Sequence, residues 1–436
     1  MRRIVSAALV AAAISIAPSP APAADRLAPA AGIHVDGTRI VESTGDTFVF
    51  RGVNHAHTWY PQQTTALADL KSLGANSARV VLASGKRWTR NETSDVAAVV
   101  AECKRVKLIC VLEVHDTTGY GEEAAAATLD EAVTYWISVK SALDGQEPYV
   151  VLNIGNEPYG NTGAPAWTAA TTSAVQRLRA AGFGHAIMVD APNWGQDWQF
   201  VMRDNAASVF AADPRKNTIF SIHMYGVFDT AAEITDYVGR FQSANLPLVI
   251  GEFGHLHSDG DPDEDTILAT ARSRGIGYLG WSWSGNGGGV EYLDLVTGFN
   301  KNALTPWGAR LFNGANGISA TAKEAAVYGG APTDPPPASS CSATYAATGD
   351  WGAGFQGAVT VKAAAGAITG WTVTWTWPDG QRLTNSWNAV VTGTDAITAR
   401  NAAYNGSLPA GGSTTWGFTA SRGSANRAPT PTCTAS

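Results

Sequence analysis

Between residues 47 and 313 the spacing of apolar positions switches back and forth between two periods. "TFVFRGV", "SARVVL", "LICVLEV", "YVVLNIG", "HAIMVDA", "TIFSIHM", "LPLVIGE" and "IGYLGWSWS" are short, nearly unbroken apolar runs. Strands covered on both faces read this way. Helical spacing fills most of the gaps, as in "TTALADLKSL", "SDVAAVVAECKRV", "TLDEAVTYWISVKSAL" and "AAEITDYVGRFQSA". Eight such strand–helix units in roughly 300 residues predict a (β/α)8 TIM barrel. An open doubly wound sheet is the alternative, but no Gly-rich phosphate loop follows the first strand.

The pattern changes at "GGAPTDPPPASS" (329–340), a Gly/Pro/Ser linker unable to pack a core. Beyond it, "GAVTVKAAAGAITGWTVTWTWPDG" alternates apolar and polar residues with Gly and Asn turns and no helical period. A separate all-β sandwich is predicted there. At the other end, "MRR", the apolar "IVSAALVAAAISIA" (4–17) and "PSPAPAAD" have the order of a secretory leader. The expected division is a leader at 1–24, a barrel at 32–328, a linker at 329–340 and a sandwich at 341–436. A secreted, extracellular monomer follows, with no membrane span, because the apolar leader is too short to cross one.

Charge narrows the partners. The 436-residue chain carries 30 Lys+Arg against 37 Asp+Glu, a net −7, and loss of Arg2 and Arg3 with the leader makes it −9. Without clustered cations, nucleic acid is not an expected partner. Fifteen Trp in a chain only 15% charged suit flat, uncharged ligands such as sugars. In an exported chain the four cysteines can pair. Cys341 and Cys433 bracket the sandwich, so a bridge between its ends is expected. Cys103 and Cys110 flank a helix-to-strand turn, and their pairing stays open.

Barrel chemistry sits at the C-terminal ends of strands. Those positions hold His55 and His57, Arg79, Glu113 and His115, Asn156 and Glu157, Asp190 and Trp194, His223 and Tyr225, Glu252, and Trp281 and Trp283. A lone strand-end Glu reads as a cap neighbour or a salt-bridge partner. Glu157 and Glu252, from the fourth and seventh strands, face each other across the mouth among Arg, His, Tyr and Trp. That is the arrangement glycosidic cleavage requires: an acid for the leaving oxygen and a carboxylate to attack or to activate water. Arg79, the histidines and Tyr225 would favour the ionised form of the second carboxylate. Trp281 offers a flat face to a sugar.

Two features suggest a metal. "HAH" (55–57) has the spacing of metal-dependent hydrolase barrels and "HLH" (255–257) repeats it, but the fourth strand ends in Glu rather than Lys. His185, the fifth-strand histidine, lies at the wrong end. No catalytic metal and no cofactor are therefore expected. The run "DGDPDEDT" (259–266) offers oxygens to a structural Ca²⁺ between Asp259 and Asp265, or serves as a loop entering a helix. In the sandwich, "TWTW" puts Trp375 and Trp377 on one face with Trp371, as core. Trp351, Trp387 and Tyr404 lie in loop-like sequence, where exposure fits a flat ligand.

"RVVLASG", "LEVHDTTGYGE", "NIGNEP", "IHMYGVF", "VIGEFG" and "GWSWSGN" together resemble glycoside hydrolase family 5, most closely its bacterial β-mannanases, over roughly residues 32–328. The resemblance implies a retaining endo-acting hydrolase of mannan, glucomannan and galactomannan. It matches Glu157 to the acid/base and Glu252 to the nucleophile. Arg79, His115, Asn156, Trp194, His223, Tyr225 and Trp281 match substrate-site positions. Residues 341–433 resemble a family 2 carbohydrate-binding module, which implies cellulose binding through Trp351, Trp387 and Tyr404, with Tyr404 where a Trp is usual. A β-1,4-endoglucanase sharing every catalytic residue, or a non-catalytic polysaccharide-binding protein, are the competing readings.

Overall fold

The structure is a computed structural model that describes residues 32–330, 341–364, 367–409 and 411–435. The leader at 1–24 and positions 331–340 of the linker lie outside the described residues. A short hairpin, β1 (His34–Asp36) and β2 (Arg39–Val41), comes first. Eight parallel strands then close into a barrel: β3 (Arg51–His55), β4 (Ser77–Leu82), β5 (Ile109–Val114), β6 (Val150–Asn153), β7 (Ile187–Asp190), β8 (Thr218–Met224), β9 (Leu248–Phe253) and β10 (Gly277–Gly280). β10 pairs with β3 to complete the ring. Each corresponds to one of the eight apolar runs.

Both faces of every barrel strand are buried, but they do different work. On β5, Cys110, Leu112 and Val114 point outward into the layer shared with the helices. Ile109 and Val111 point inward. Inward Val151, Met188, Ile219, Val249 and Leu279 from the other strands join them in a second apolar cluster. Ile33, Ile40, Phe48 and Phe50, contributed by the hairpin and the segment entering β3, belong to the same cluster. The barrel interior is thus a packed apolar layer. One side-chain period further along the strands the inward residues turn polar: Arg79, Glu113, Asn153, Asp190 and His223, all fully or almost fully buried. This polar layer faces the mouth.

Surrounding helices follow their sequence signals. Leu129–Ser138 begins with a capping box between Thr128 and Glu131, and Tyr135 and Trp136 are buried from it. The helix Glu264–Arg274 starts at Asp263, whose carboxylate accepts from the Thr266 N–H at 2.9 Å, and ends at Gly275. Cys103, in the helix Thr93–Val106, is disulfide-bonded to Cys110 on β5, which answers the pairing left open.

Two details differ from expectation. The fourth strand is shorter than its apolar run "YVVLNIG": the β6 ladder stops at Asn153, and Ile154 to Glu157 bend away beyond it. Trp283 is not at the rim; it is fully buried in the outer core, edge-on to Phe312.

The C-terminal part is a sandwich of two four-stranded antiparallel sheets. One holds β11 (Cys341–Asp350), β12 (Gly354–Ala363), β14 (Arg382–Trp387) and β17 (Ser413–Ser421). The other holds β13 (Trp371–Thr376), β15 (Ala389–Thr392), β16 (Ala396–Asn401) and β18 (Thr432–Ala435). Trp371, Trp375, Trp377 and Trp416 form its core with Phe355 and Phe418. The Cys341–Cys433 disulfide ties the first strand of one sheet to the last strand of the other. Its two cysteines are 92 positions apart, so the bond should contribute about 4–5 kcal/mol in the chain-entropy picture. Replacing both cysteines with serine should lower one calorimetric transition of the full chain and leave the barrel's transition in place. Equal shifts in both would count against independent cores.

Candidate active site

The polar layer is organised around one guanidinium. Arg79 is fully buried and donates along five hydrogen bonds: to Glu252 at 2.6 Å, Asn156 at 2.7 Å, Asn153 at 2.8 Å, and Asn54 and Asp190 at 2.9 Å each. Glu113 lies 3.9 Å away. Burial alone would lower the Arg79 pKa, but Glu113, Asp190 and Glu252 outweigh it and raise it. Of the two roles its sequence position suggests, holding a carboxylate and touching substrate, the geometry shows the first: Arg79 sits fully buried beneath the site and holds its carboxylates.

Glu252, at the end of β9, accepts from Arg79 on Oε1 and from the Tyr225 hydroxyl on Oε2 at 3.1 Å. Burial pushes the Glu252 carboxyl above its ordinary value, against the pull of His223 and Arg79, while Glu157 pushes it further up. Burial and the charge on Glu252 raise Tyr225 far beyond the usual phenol range, so it stays a donor.

Glu157 sits in the turn after β6 with φ at +40°, a backbone region few side chains adopt. Its N–H points to Asp190 Oδ2 at 3.4 Å, and Oε1 lies 2.9 Å from His223 Nδ1. His223 also stands 3.6 Å from Glu252 and 3.3 Å from Asp190. Burial would lower its pKa, but the charges of Glu252 and Asp190 raise it to about 10, so the ring is an imidazolium in neutral solution. Asp190 is held well below the carboxylate range: burial opposes this, and Arg79 and His223 prevail. Asn156 spends its oxygen on Arg79 and one N–H on Thr118 at 2.9 Å, leaving its second N–H free.

One oxygen each of Glu157 and Glu252 and one His223 nitrogen lie within 4.8 Å of one another. Among the described residues no other His, Cys, Asp or Glu group gathers so closely. A cation would have to displace the imidazolium proton to bind there. The acidic run holds no comparable cluster. Asp263 caps a helix, Asp265 pairs with Arg310 at 2.7 Å, and Asp259 accepts from Gln196 at 2.7 Å. His55 and His57 of "HAH" line a different cavity, with Asp95 and Leu67, away from the glutamates.

Aromatic rings flank the pair. His115 Nδ1 donates to Glu113, 2.9 Å away, and the ring stacks on Trp281 at 5.6 Å between ring centres. Trp59 and Trp88 pack around the same imidazole. Opposite, Trp194 borders a cavity of about 480 Å³ that Glu157 also lines. In the sandwich Trp351, Trp387 and Tyr404 are exposed by 57%, 38% and 73%, against 5% or less for its core tryptophans. Gly417 lies under Trp387, where a Cβ would come within 2.4 Å of the indole, so the ring lies flat on β17.

Sequence reasoning brought Arg79, Asn156, Glu157, His223, Tyr225 and Glu252 to one place, and they are together. It missed Asn54 and Asn153, whose signal was a polar residue interrupting an apolar strand. It also missed Trp59 and Trp88, which lie in loops without periodicity.

The family model for cellulase (glycosyl hydrolase family 5) matches residues 41–287, and that for a cellulose binding domain matches 341–435. A mannan endo-1,4-beta-mannosidase of Streptomyces lividans is 60% identical over 70% of this chain and 79% of its own. The mannotriose complex of Thermomonospora fusca beta-mannanase is 59% identical, with a TM-score of 0.67, over 68% of this chain and 99% of that one. The mannohexaose complex of the Streptomyces thermolilacinus beta-mannanase is 62% identical, also at 0.67, over 68% and 98%.

The raised His223 pKa has a measurable sign. Its folded value of about 10 exceeds the ordinary 6.5. The stabilisation is therefore complete below about pH 6.5 and is lost as pH rises through 10. Thermal stability of wild type should fall more steeply across that window than that of His223→Gln. Parallel slopes would overturn the assignment of an imidazolium.

Proposed function

The chain belongs to glycosyl hydrolase family 5, with a cellulose-binding module behind the catalytic fold, and on that premise we propose that it hydrolyses β-1,4-mannosidic bonds inside mannan chains with retention of configuration. The observation that carries the mechanism is the carboxylate separation. Retaining glycosidases keep the two groups about 5–5.5 Å apart and inverting ones about 6.5–9.5 Å, to admit a water. The facing oxygens of Glu157 and Glu252 approach within 4.8 Å, which supports the closer spacing of the first class.

In this reading Glu252 attacks the anomeric carbon while Glu157 protonates the leaving oxygen. Water then attacks the glycosyl-enzyme, and Glu157 takes up its proton. Arg79 and Tyr225 hold the two Glu252 oxygens, fixing the carboxylate for attack. The free Asn156 N–H is available to the sugar 2-hydroxyl. That hydroxyl is axial in mannose and equatorial in glucose, so discrimination begins there. Trp281 and His115 present a flat wall to the sugar.

Residues 32–328 form the catalytic unit and 341–436 the module, joined by the linker at 329–340. Trp351, Trp387 and Tyr404 give the module its cellulose face, stacking on glucose rings. Secretion is supported by the leader at 1–24 and by two disulfides, which persist in oxidising compartments. Mannan, glucomannan and galactomannan are the expected substrates and a monomer the expected state.

Reducing-sugar release from galactomannan should greatly exceed that from carboxymethylcellulose with the same preparation; the reverse order would make the protein an endoglucanase. Replacing Glu252 with Ala should cut turnover by a factor on the order of 10⁴ or more while cellulose binding is unchanged. Substantial residual turnover would remove Glu252 as nucleophile. The first-formed product, followed by NMR, should be the β-anomer.

A further inference from the structure

The two glutamates do not share their surroundings equally. The cavity of about 480 Å³ is lined by Glu157 but not by Glu252. Its size falls within the roughly 300–1,000 Å³ of ligand sites. Resting on the mechanism above, the acid must stand beside the leaving oxygen, so this cavity is where the departing half of the chain lies.

Its walls are fixed. Trp194 rests on Gly119, where a Cβ would meet the indole at 2.4 Å, and donates from Nε1 to Glu122 at 3.1 Å. Trp198, 46% exposed, donates to Asn161 at 2.7 Å. An exposed indole pinned by its only polar atom presents its face and little else. The third wall is His257, in the loop after β9, whose ring packs on Tyr225 with centres 4.6 Å apart. Its Nδ1 meets Asp259 Oδ1 at 2.5 Å. Asp259 is anchored in turn by Gln196 and by the Gly226 N–H. Nε2 has no partner among the described residues.

We propose that His257, oriented by Asp259, binds the leaving-side mannosyl unit through Nε2, with Trp198 as the stacking platform for the same half of the chain. A carboxylate on Nδ1 fixes the ring and keeps a proton there. The loop carries no reacting atom: His257 selects and holds the acceptor side of the polysaccharide. The site takes a neutral β-linked sugar, since an indole face offers stacking to the apolar C–H face of a pyranose and one imidazole edge offers a hydrogen bond to a hydroxyl.

The test compares mannohexaose, which fills both sides of the cleavage point, with a nitrophenyl β-mannotrioside, whose leaving group is no sugar. His257→Ala should lose about tenfold more kcat/KM on mannohexaose than on the aryl glycoside, as expected for one hydrogen bond to the sugar. His257→Gln, which keeps a donor, should recover part of that difference. Hydrolysis of mannohexaose in ¹⁸O-water should show the preferred cleaved bond moving in His257→Ala and in Trp198→Ala. Trp198 is exposed, so its replacement tests the site without threatening the fold. Equal losses on both substrates would mean that His257 acts through Tyr225 on the nucleophile, and no loss on either would remove it from the site. If wild type cleaves cellohexaose and not mannohexaose, the mannan reading fails, and the same comparison on cello-oligosaccharides still decides for or against the leaving-side site.

Discussion

The barrel mouth depends on a single buried charge. Arg79 cannot reach solvent, and removing a guanidinium from water costs several kcal/mol unless charge and hydrogen bonds replace the hydration. Here they do: Glu252, Asp190, Asn156, Asn153 and Asn54 each take one bond, from four different strands or the segments that follow them. Each group that neutralises Arg79 is thereby fixed in position. The same bonds that make the charge tolerable place the proposed nucleophile, the residue beside the proposed acid, and the aspartate that faces His223. A change at Arg79 would strand three carboxylates around an empty centre, so its cost would appear in folding before it appeared in catalysis.

His223 is the counterpart. Arg79 alone leaves the mouth negative, with Glu113, Glu157, Asp190 and Glu252 gathered there. The imidazolium adds a second positive charge within 3.6 Å of three of them. It reaches Glu157 from a direction Arg79 does not cover. The two cations divide the pair: Arg79 and Tyr225 hold Glu252, and His223 holds Glu157. Two carboxylates can then lie within 4.8 Å without one being forced to stay protonated by its neighbour alone.

The glutamates were legible in the sequence because a charged residue at the end of an apolar strand has few structural uses, and two of them in one barrel have fewer. The barrel was legible for the same reason: eight apolar runs separated by helical spacing admit few alternatives. What stayed hidden depends on distance through space. Arg79 read both as a carboxylate partner and as a substrate contact because the sequence shows its strand end but not its depth. Asn54 and Asn153 are polar residues inside apolar strands, and their purpose appears only once Arg79 is between them. His257 belongs to a spacing that suggested metal, and only the fold shows Asp259 on its Nδ1 and the residue itself in a cavity wall. The run "YVVLNIG" looked like strand to its end, whereas the ladder stops at Asn153 and the segment beyond it carries Glu157 at positive φ.

Aromatic residues separate the two parts of the chain in the same way. In the sandwich, apolar alternation sends Trp371, Trp375, Trp377 and Trp416 inward and leaves Trp351, Trp387 and Tyr404 outside, where burial contributes nothing to stability. In the barrel, Trp136, Trp167, Trp283 and Trp307 are core, while Trp59, Trp88, Trp194, Trp198 and Trp281 ring the mouth. An exposed indole costs solubility unless its face is used. Both parts therefore offer flat surfaces to one class of ligand, an uncharged polymer of stacked rings. They differ in what stands beside the rings. The barrel gathers buried carboxylates and two cations there, and the sandwich has no such buried charged cluster beside its rings, which is the physical difference between a surface that cuts the polymer and one that holds it.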